Sequence, residues 1–172
     1  MYSERLKEHY ASNWSCSESH LLKIRGPIQE VSKNFEIAIF EPRLSRSLWT
    51  YATVGMSDPE RENSVGIELH VFSKQEDDSL AEVLAAIAHY HNTGRSLSLG
   101  HTVNIGRPWQ HGSACSYGLL SLPYLDGPSL EHFVFGGSSV KCLWLIPITE
   151  AERAYKMRMG LEALERQFEA AQ

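Results

Sequence analysis

The stretch Phe35-Glu36-Ile37-Ala38-Ile39-Phe40-Glu41-Pro42 decides the fold. Phe35, Ile37 and Ile39 alternate with Glu36, Ala38 and Phe40, and Glu41-Pro42 stops the run. Period-two alternation is the mark of a strand whose successive side chains point to opposite faces. Trp49 to Gly55 is a second strand, rich in Thr, Tyr and Val, closed by the Ser57-Asp58-Pro59 turn. A polar loop from Glu60 to Ser64 leads into Ile67-Glu68-Leu69-His70-Val71-Phe72. There Ile67, Leu69 and Val71 form one face, and Glu68, His70 and Phe72 the other. These three segments read as a meander.

Downstream, Ser79-Leu80-Ala81-Glu82 has capping-box spacing and opens a helix. Leu80, Val83, Leu84, Ile87 and His91 share its face, and Gly94 is placed to close it in a left-handed cap. Short apolar runs follow at His101 to Ile105 and Tyr117 to Tyr124, then a turn at Leu125-Asp126-Gly127-Pro128. Phe133-Val134-Phe135 and Val140 to Ile146 flank Gly136-Gly137-Ser138-Ser139 as a hairpin. Cys142 to Ile146 is apolar on both faces, which places it centrally in the sheet. Thr149-Glu150-Ala151-Glu152 is a second capping box, followed by Met157, Leu161, Leu164 and Phe168 at helical intervals. Gly160 is expected to break or bend that run. The fold class is therefore α+β, a mostly antiparallel or mixed central sheet with helices packed against it.

Upstream, residues 1–33 read as a polar N-terminal arm and residues 34–172 as the domain proper. Leu6 and Tyr10 lie four apart, a hint of helix, while Ser12 to Ser17 reads as a loop and Gly26-Pro27 as a turn. Whether the arm packs or stays mobile is open at this level. The 172 residues carry a net charge of −5 and 42% hydrophobic residues, enough for a sizeable core. The acidic balance argues against nucleic acid as a partner and favours capture of a basic protein by electrostatic steering. The longest apolar run, Val83 to Ala88, is far short of the ~20 residues that span a bilayer. The charged start lacks an apolar signal region, and Cys16, Cys115 and Cys142 suit reduced thiols, so a cytoplasmic location is expected.

No catalytic or cofactor pattern assembles. His89 and His91 point about 200° apart on a helix and cannot share a metal. His91 reads as a hydrogen-bonded core histidine, and His111 with Cys115 lacks a second ligand pair for zinc. Pro59 stands where a nucleophile elbow after Ser57 needs glycine. Gly94, Gly100 and Gly106 match no phosphate-binding loop, so no cofactor is expected. Arg43, Arg46, Arg95 and Arg107 read first as solvated surface. A hydrolase or transferase using His70 or His101 with a carboxylate or Cys115 is the alternative. Aromatic residues beside polar loops give the other candidate set. Tyr51, Arg107, Trp109, Tyr117 and Tyr124 are the expected partner-binding residues, weighed against an ordinary place in the core.

Six motifs follow in order: Trp49 to Ser57, Gly66-Ile67-Glu68-Leu69-His70, Ile87-Ala88-His89-Tyr90-His91, Gly100 to Asn104, Leu122-Pro123-Tyr124-Leu125-Asp126-Gly127 and Trp144 to Glu150. Together they resemble the suppressor-of-fused domain, in particular its small bacterial single-domain members. The resemblance implies an α+β domain that binds proteins rather than turning over substrates. Animal members grip a short extended peptide between two domains, and bacterial members are associated with polymorphic toxins as immunity proteins. It thus implies a protein partner, a cognate toxin, with the oligomeric state left open. Residues 34–172 correspond to one such domain, too short for the two-domain clamp, so no contact residue carries over from it.

Overall fold

The computed structural model describes residues 1–15, 20–22, 34–57 and 66–171. The elements are α1 (Tyr2–Trp14), β1 (His20–Leu22), β2 (Glu36–Phe40), β3 (Trp49–Val54), β4 (Gly66–Ser73), α2 (Ser79–Thr93), β5 (Thr102–Asn104), β6 (Tyr117–Ser121), α3 (Pro128–Glu131), β7 (His132–Phe135), β8 (Ser138–Ile148), α4 (Glu150–Met159) and α5 (Leu161–Ala170). One mixed sheet holds all the strands, in the order β1-β2-β3-β4-β8-β6-β5, with β7 pairing the start of β8. The expected meander β2-β3-β4 is present and antiparallel. β8 then runs parallel to β4, with His70 opposite Trp144, and antiparallel to β6. The expected turn at Asp58-Pro59, the loop from Glu60 to Ser64, Gly26-Pro27 and Cys16 lie outside the described residues.

β4 and the adjoining strands are buried on both faces because a helix covers each. On one side Ile37, Tyr51, Leu69, Val71, Leu143 and Leu145 pack under α2 through Leu80, Leu84 and Ile87. On the other, Ala38, Phe40, Ala52, Val54 and Cys142 pack under α1. Farther along that second face, α5 sets Leu164 on Leu119 and Ile148. Fully burying a side chain of this size stabilises by roughly 1.5–3 kcal/mol.

The N-terminal segment does pack. Tyr2, Leu6, Tyr10 and Trp14 recur every four residues along α1, and the last three are fully or almost fully buried. Tyr10 stacks on Trp14 with centroids 4.8 Å apart, and its hydroxyl donates to the Thr53 carbonyl at 3.1 Å. The loop expected from Ser12 is a correction: the helix runs to Trp14 and ends at Ser15 in left-handed geometry. Burial of Trp14 against Phe40 outweighs the low helix propensity of Ser12 and Asn13.

Two caps differ from expectation. Ser79 does not cap α2; instead Asp77 Oδ1 accepts from the Ser79 backbone N–H and hydroxyl. The Asp77 carboxylate, two residues earlier, is the stronger acceptor, while the N-cap residue Asp78 makes no side-chain cap bond. Gly94 closes α2 at φ −107°, outside the left-handed region, with its N–H bonded to Tyr90 O. The second capping box forms fully: Thr149 accepts from the Glu152 N–H, and Glu152 Oε2 accepts from the Thr149 N–H at 2.6 Å. Gly160 separates α4 from α5 at φ 92°, and Met157, expected on the apolar face, is exposed. Gly136 and Gly137 both take positive φ in a two-residue turn joining β7 to β8, the twist that hairpins favour.

Candidate protein-docking site

The α1 face of the sheet carries a band of polar and aromatic groups between α1 and α5. Ala52, His70, Trp144 and Ser121 stand side by side across four strands. Below them sits Glu68, a fully buried carboxylate. It accepts from the N–H groups of Gly55, Met56 and Ser57 at 3.1, 3.2 and 3.4 Å. It also accepts from the hydroxyls of Thr53 at 2.6 Å and Tyr2 at 2.9 Å. Gly55 at φ 85° bends the end of β3 so that three successive N–H groups point inward. Burial raises the Glu68 carboxyl to about 7 in spite of those donors. Tyr2 is thereby tied to the sheet, so Glu68 anchors α1. The same burial drives the Cys142 thiol well above its ordinary value, which makes it inert.

His70 is fully buried against Trp14 and Phe72. Neither of its ring nitrogens has a hydrogen-bond partner among the described residues. Burial lowers it to about 3, with the nearby Asp126 acting in the opposite direction. Asp126 Oδ2 lies 3.9 Å from His70 Nε2. The carboxylate is instead held by Arg46, Nη1 to Oδ1 at 2.5 Å and Nη2 to Oδ2 at 3.2 Å. Arg46 Nε donates to Thr50 Oγ1, and the guanidinium lies over Phe72 and Trp14, 4.4 and 5.4 Å from their centroids. A planar fork on a carboxylate, clamped between two rings, fixes both loops that carry it.

One of those loops is a tight hairpin in which Arg43 and Arg46 pair through their backbones, with Leu44 fully exposed at its tip. The other is the Leu122-Pro123-Tyr124-Leu125-Asp126-Gly127 turn, where Tyr124 and Leu125 are each more than half exposed. Three further contacts hold this turn. Ser121 Oγ and Tyr124 OH donate to the two oxygens of Glu165 on α5, at 2.8 and 3.1 Å. Ser129 Oγ donates to Asn13 on α1 at 2.7 Å. Exposed apolar side chains on loops made rigid from beneath are the anatomy of a docking surface.

Of the expected aromatic set, only part reaches the surface. Tyr51 is wholly buried and its hydroxyl accepts from the Asp77 N–H at 2.7 Å. Trp109 lies in the α2-side core and donates from Nε1 to Tyr117 O at 3.0 Å. Tyr117 is half buried beside α4, with Arg153 over its ring, and Arg107 is exposed beyond β5. Those residues do not converge with Tyr124. An affinity effect of Trp109→Ala without loss of structure, which an exposed position entails, does not follow from a core indole. Trp109→Ala should destabilise the fold by about 3–5 kcal/mol. Tyr124→Ala, at an exposed position, should leave the urea midpoint near that of the parent. Equal midpoint losses in both variants would contradict this placement.

The catalytic alternative finds its residues dispersed. His70 is closed off in the sheet, His101 is exposed and engages Ser98, and Cys115 is half buried in the β5–β6 loop. Among the described residues no group of three His, Cys, Asp or Glu side chains converges as a metal site needs. His91 accepts from the Leu97 N–H at 2.9 Å, so it is hydrogen-bonded as expected, but it is half-buried and not in the core. Sequence reasoning missed Leu44, Arg46 and Asp126 as a unit, although the Leu122–Gly127 motif contained Asp126. Pairing over 80 residues leaves no local signal.

A mixed-sheet α+β domain with a helix on each face and a rigid loop pair at one end defines the class. The chain belongs to the suppressor of fused family: the family model Suppressor of fused protein (SUFU) matches residues 32–172. It is similar to a SUFU homolog of known structure from Neisseria gonorrhoeae, at 28% identity and TM-score 0.81, over 99% of this chain and 90% of that one. In fold it also matches the Sufu–Fu complex structure, at 14% identity and TM-score 0.74, over 96% and 82% of the two chains. The Drosophila Suppressor of Fused matches at 16% identity and TM-score 0.65, over 87% of this chain but 42% of its own length. None of the curated proteins matches the chain. No helix among the described residues is long and apolar enough to cross a membrane.

Proposed function

We propose that this protein is a non-enzymatic, cytoplasmic protein-binding module, and that it acts in bacteria as an immunity protein neutralising a polymorphic toxin. The observation that supports this reading best is the exposure of Leu44, Tyr124 and Leu125 on two loops joined by a part-buried ion pair. Large apolar groups in water are unfavourable unless a partner covers them, and rigid mounting lowers the ordering cost of binding. The family agrees, since one structure of like fold is the Sufu–Fu complex. The dispersal of His70, His101 and Cys115 counts against turnover.

The test is co-expression with the protein product of the gene next to its own. The parent should restore growth of cells expressing that product. Leu44→Asp with Leu125→Asp should weaken binding by about tenfold or more, because charge at the centre of an apolar contact is desolvated unpaired. Their thermal midpoint should stay within about 2–4 °C of the parent. Full protection by the doubly substituted protein would remove this surface from the reading.

A further inference from the structure

The surroundings of Tyr124 say what kind of partner segment these loops take. Glu165 and Glu169 lie four apart on α5, on one side of the helix, and Glu131 closes α3 next to the turn. Glu165 is fixed by Ser121 and Tyr124, and a carboxylate with two donors retains lone pairs for more. Partial burial, then the charges of Glu165, Glu169 and Glu131, raise the Tyr124 hydroxyl to about 12. Of the nearby cations, Arg46 is spent on Asp126, and Arg166 stands about 100° round the helix from Glu165. Arg43 belongs to the hairpin of Leu44.

Resting on the protein-binding reading, we propose that the Tyr124–Leu125 turn and the carboxylate side of α5 dock a basic segment of the partner protein. An Arg or Lys side chain lies on the Tyr124 ring between Glu165 and Glu169, and an apolar neighbour of that cation covers Leu125. Two physical terms act together. The ring face attracts a cation, more strongly once water is displaced, and the three carboxylates supply a field of one sign on an exposed apolar base. An acidic segment, or the phosphates of a nucleic acid, meets repulsion at the same place.

The probe is a fluorescein-labelled basic peptide alternating Arg, Leu and Lys, beside a counterpart with Glu in place of each cation. Binding to the full chain is read by anisotropy and by amide NMR shifts. The basic peptide should bind and shift residues 124–127 and 162–169, the acidic one should not, and binding should weaken steeply with salt. Glu169→Lys and Tyr124→Leu should each weaken it about fivefold or more, with the amide spectrum of the rest of the fold unchanged. Equal binding of both peptides, shifts spread over the surface, or indifference to Glu169→Lys overturns the proposal. So does a concentration-dependent shift of the same amides without peptide, which would make a second copy the occupant. Capture of the cognate protein separates the two levels. If Leu44→Asp with Leu125→Asp abolishes it and Glu169→Lys does not, the basic-segment inference fails while the binding reading stands. If neither substitution alters capture, both fail.

Discussion

Relative to the parent, Glu68→Gln should lose stability on acidification between about pH 6.5 and 4.5. In the parent two buried groups oppose each other across that window. Burial raises Glu68 from 4.5 to about 7, so its contribution is complete below 4.5 and is lost as pH rises through 7. Burial lowers His70 from 6.5 to about 3, so its contribution is complete above 6.5 and is lost as pH falls through 3. Between 4.5 and 6.5 the folded chain holds one proton on Glu68, and the unfolded chain holds one on His70. The difference in bound protons from this pair is zero, and so is the slope.

Removing Glu68 leaves His70 alone, with a slope of about 1.4 kcal/mol per pH unit and lower stability in acid. Removing His70, as in His70→Phe, reverses the sign, and stability rises as pH falls from 7 to 4.5. Urea midpoints of each variant relative to the parent, measured across this range, isolate the two terms from other titrations. Parallel profiles for parent and both variants would show that neither group is shifted as described. Glu68→Ala should be far more damaging at every pH. It strands three backbone N–H groups and two hydroxyls, at about 1–3 kcal/mol for each buried group left unsatisfied.

Asp126→Ala should destabilise the fold by about 3–5 kcal/mol, the cost of leaving a largely buried guanidinium without its counter-ion. The joint variant Arg46→Met with Asp126→Leu should regain most of that loss, since apolar residues of like volume fit among Trp14 and Phe72. The two readouts then part. The joint variant restores the urea midpoint but no longer forks one loop to the other, so partner affinity should remain below that of the parent. A double-mutant cycle measures the coupling between the pair directly. A loss under 1 kcal/mol in Asp126→Ala would mean that water, and not the ion pair, sustains these loops.

Local patterning made a good part of the fold legible. The alternation in Phe35 to Phe40 and Ile67 to Phe72, the apolar run at Cys142 to Ile146, the Gly136-Gly137 turn and the Thr149–Glu152 box all depend on neighbours within a few residues. Each is present, although the hairpin turn is tighter than read, with Ser138 and Ser139 paired into β8. The site was less legible. Trp109 and Tyr124 look alike in sequence, each an aromatic next to loop residues, yet one is core and the other exposed. Nothing local separates them, because burial depends on which element arrives from elsewhere in the chain. The Ser79 box failed for a related reason: a competing acceptor, Asp77, sat just outside the motif.

The sequence alone determined the strands and helices of an α+β domain and, through six ordered motifs, its family; periodicity, turn chemistry and motif order are written along the chain. Only the tertiary structure decided that α1 belongs to the core, that Glu68 anchors it, and that Arg46 meets Asp126 to hold Leu44, Tyr124 and Leu125 outward. The partners in those contacts lie 66 and 80 positions apart, and their energies come from desolvation that exists only once the sheet has closed between its helices.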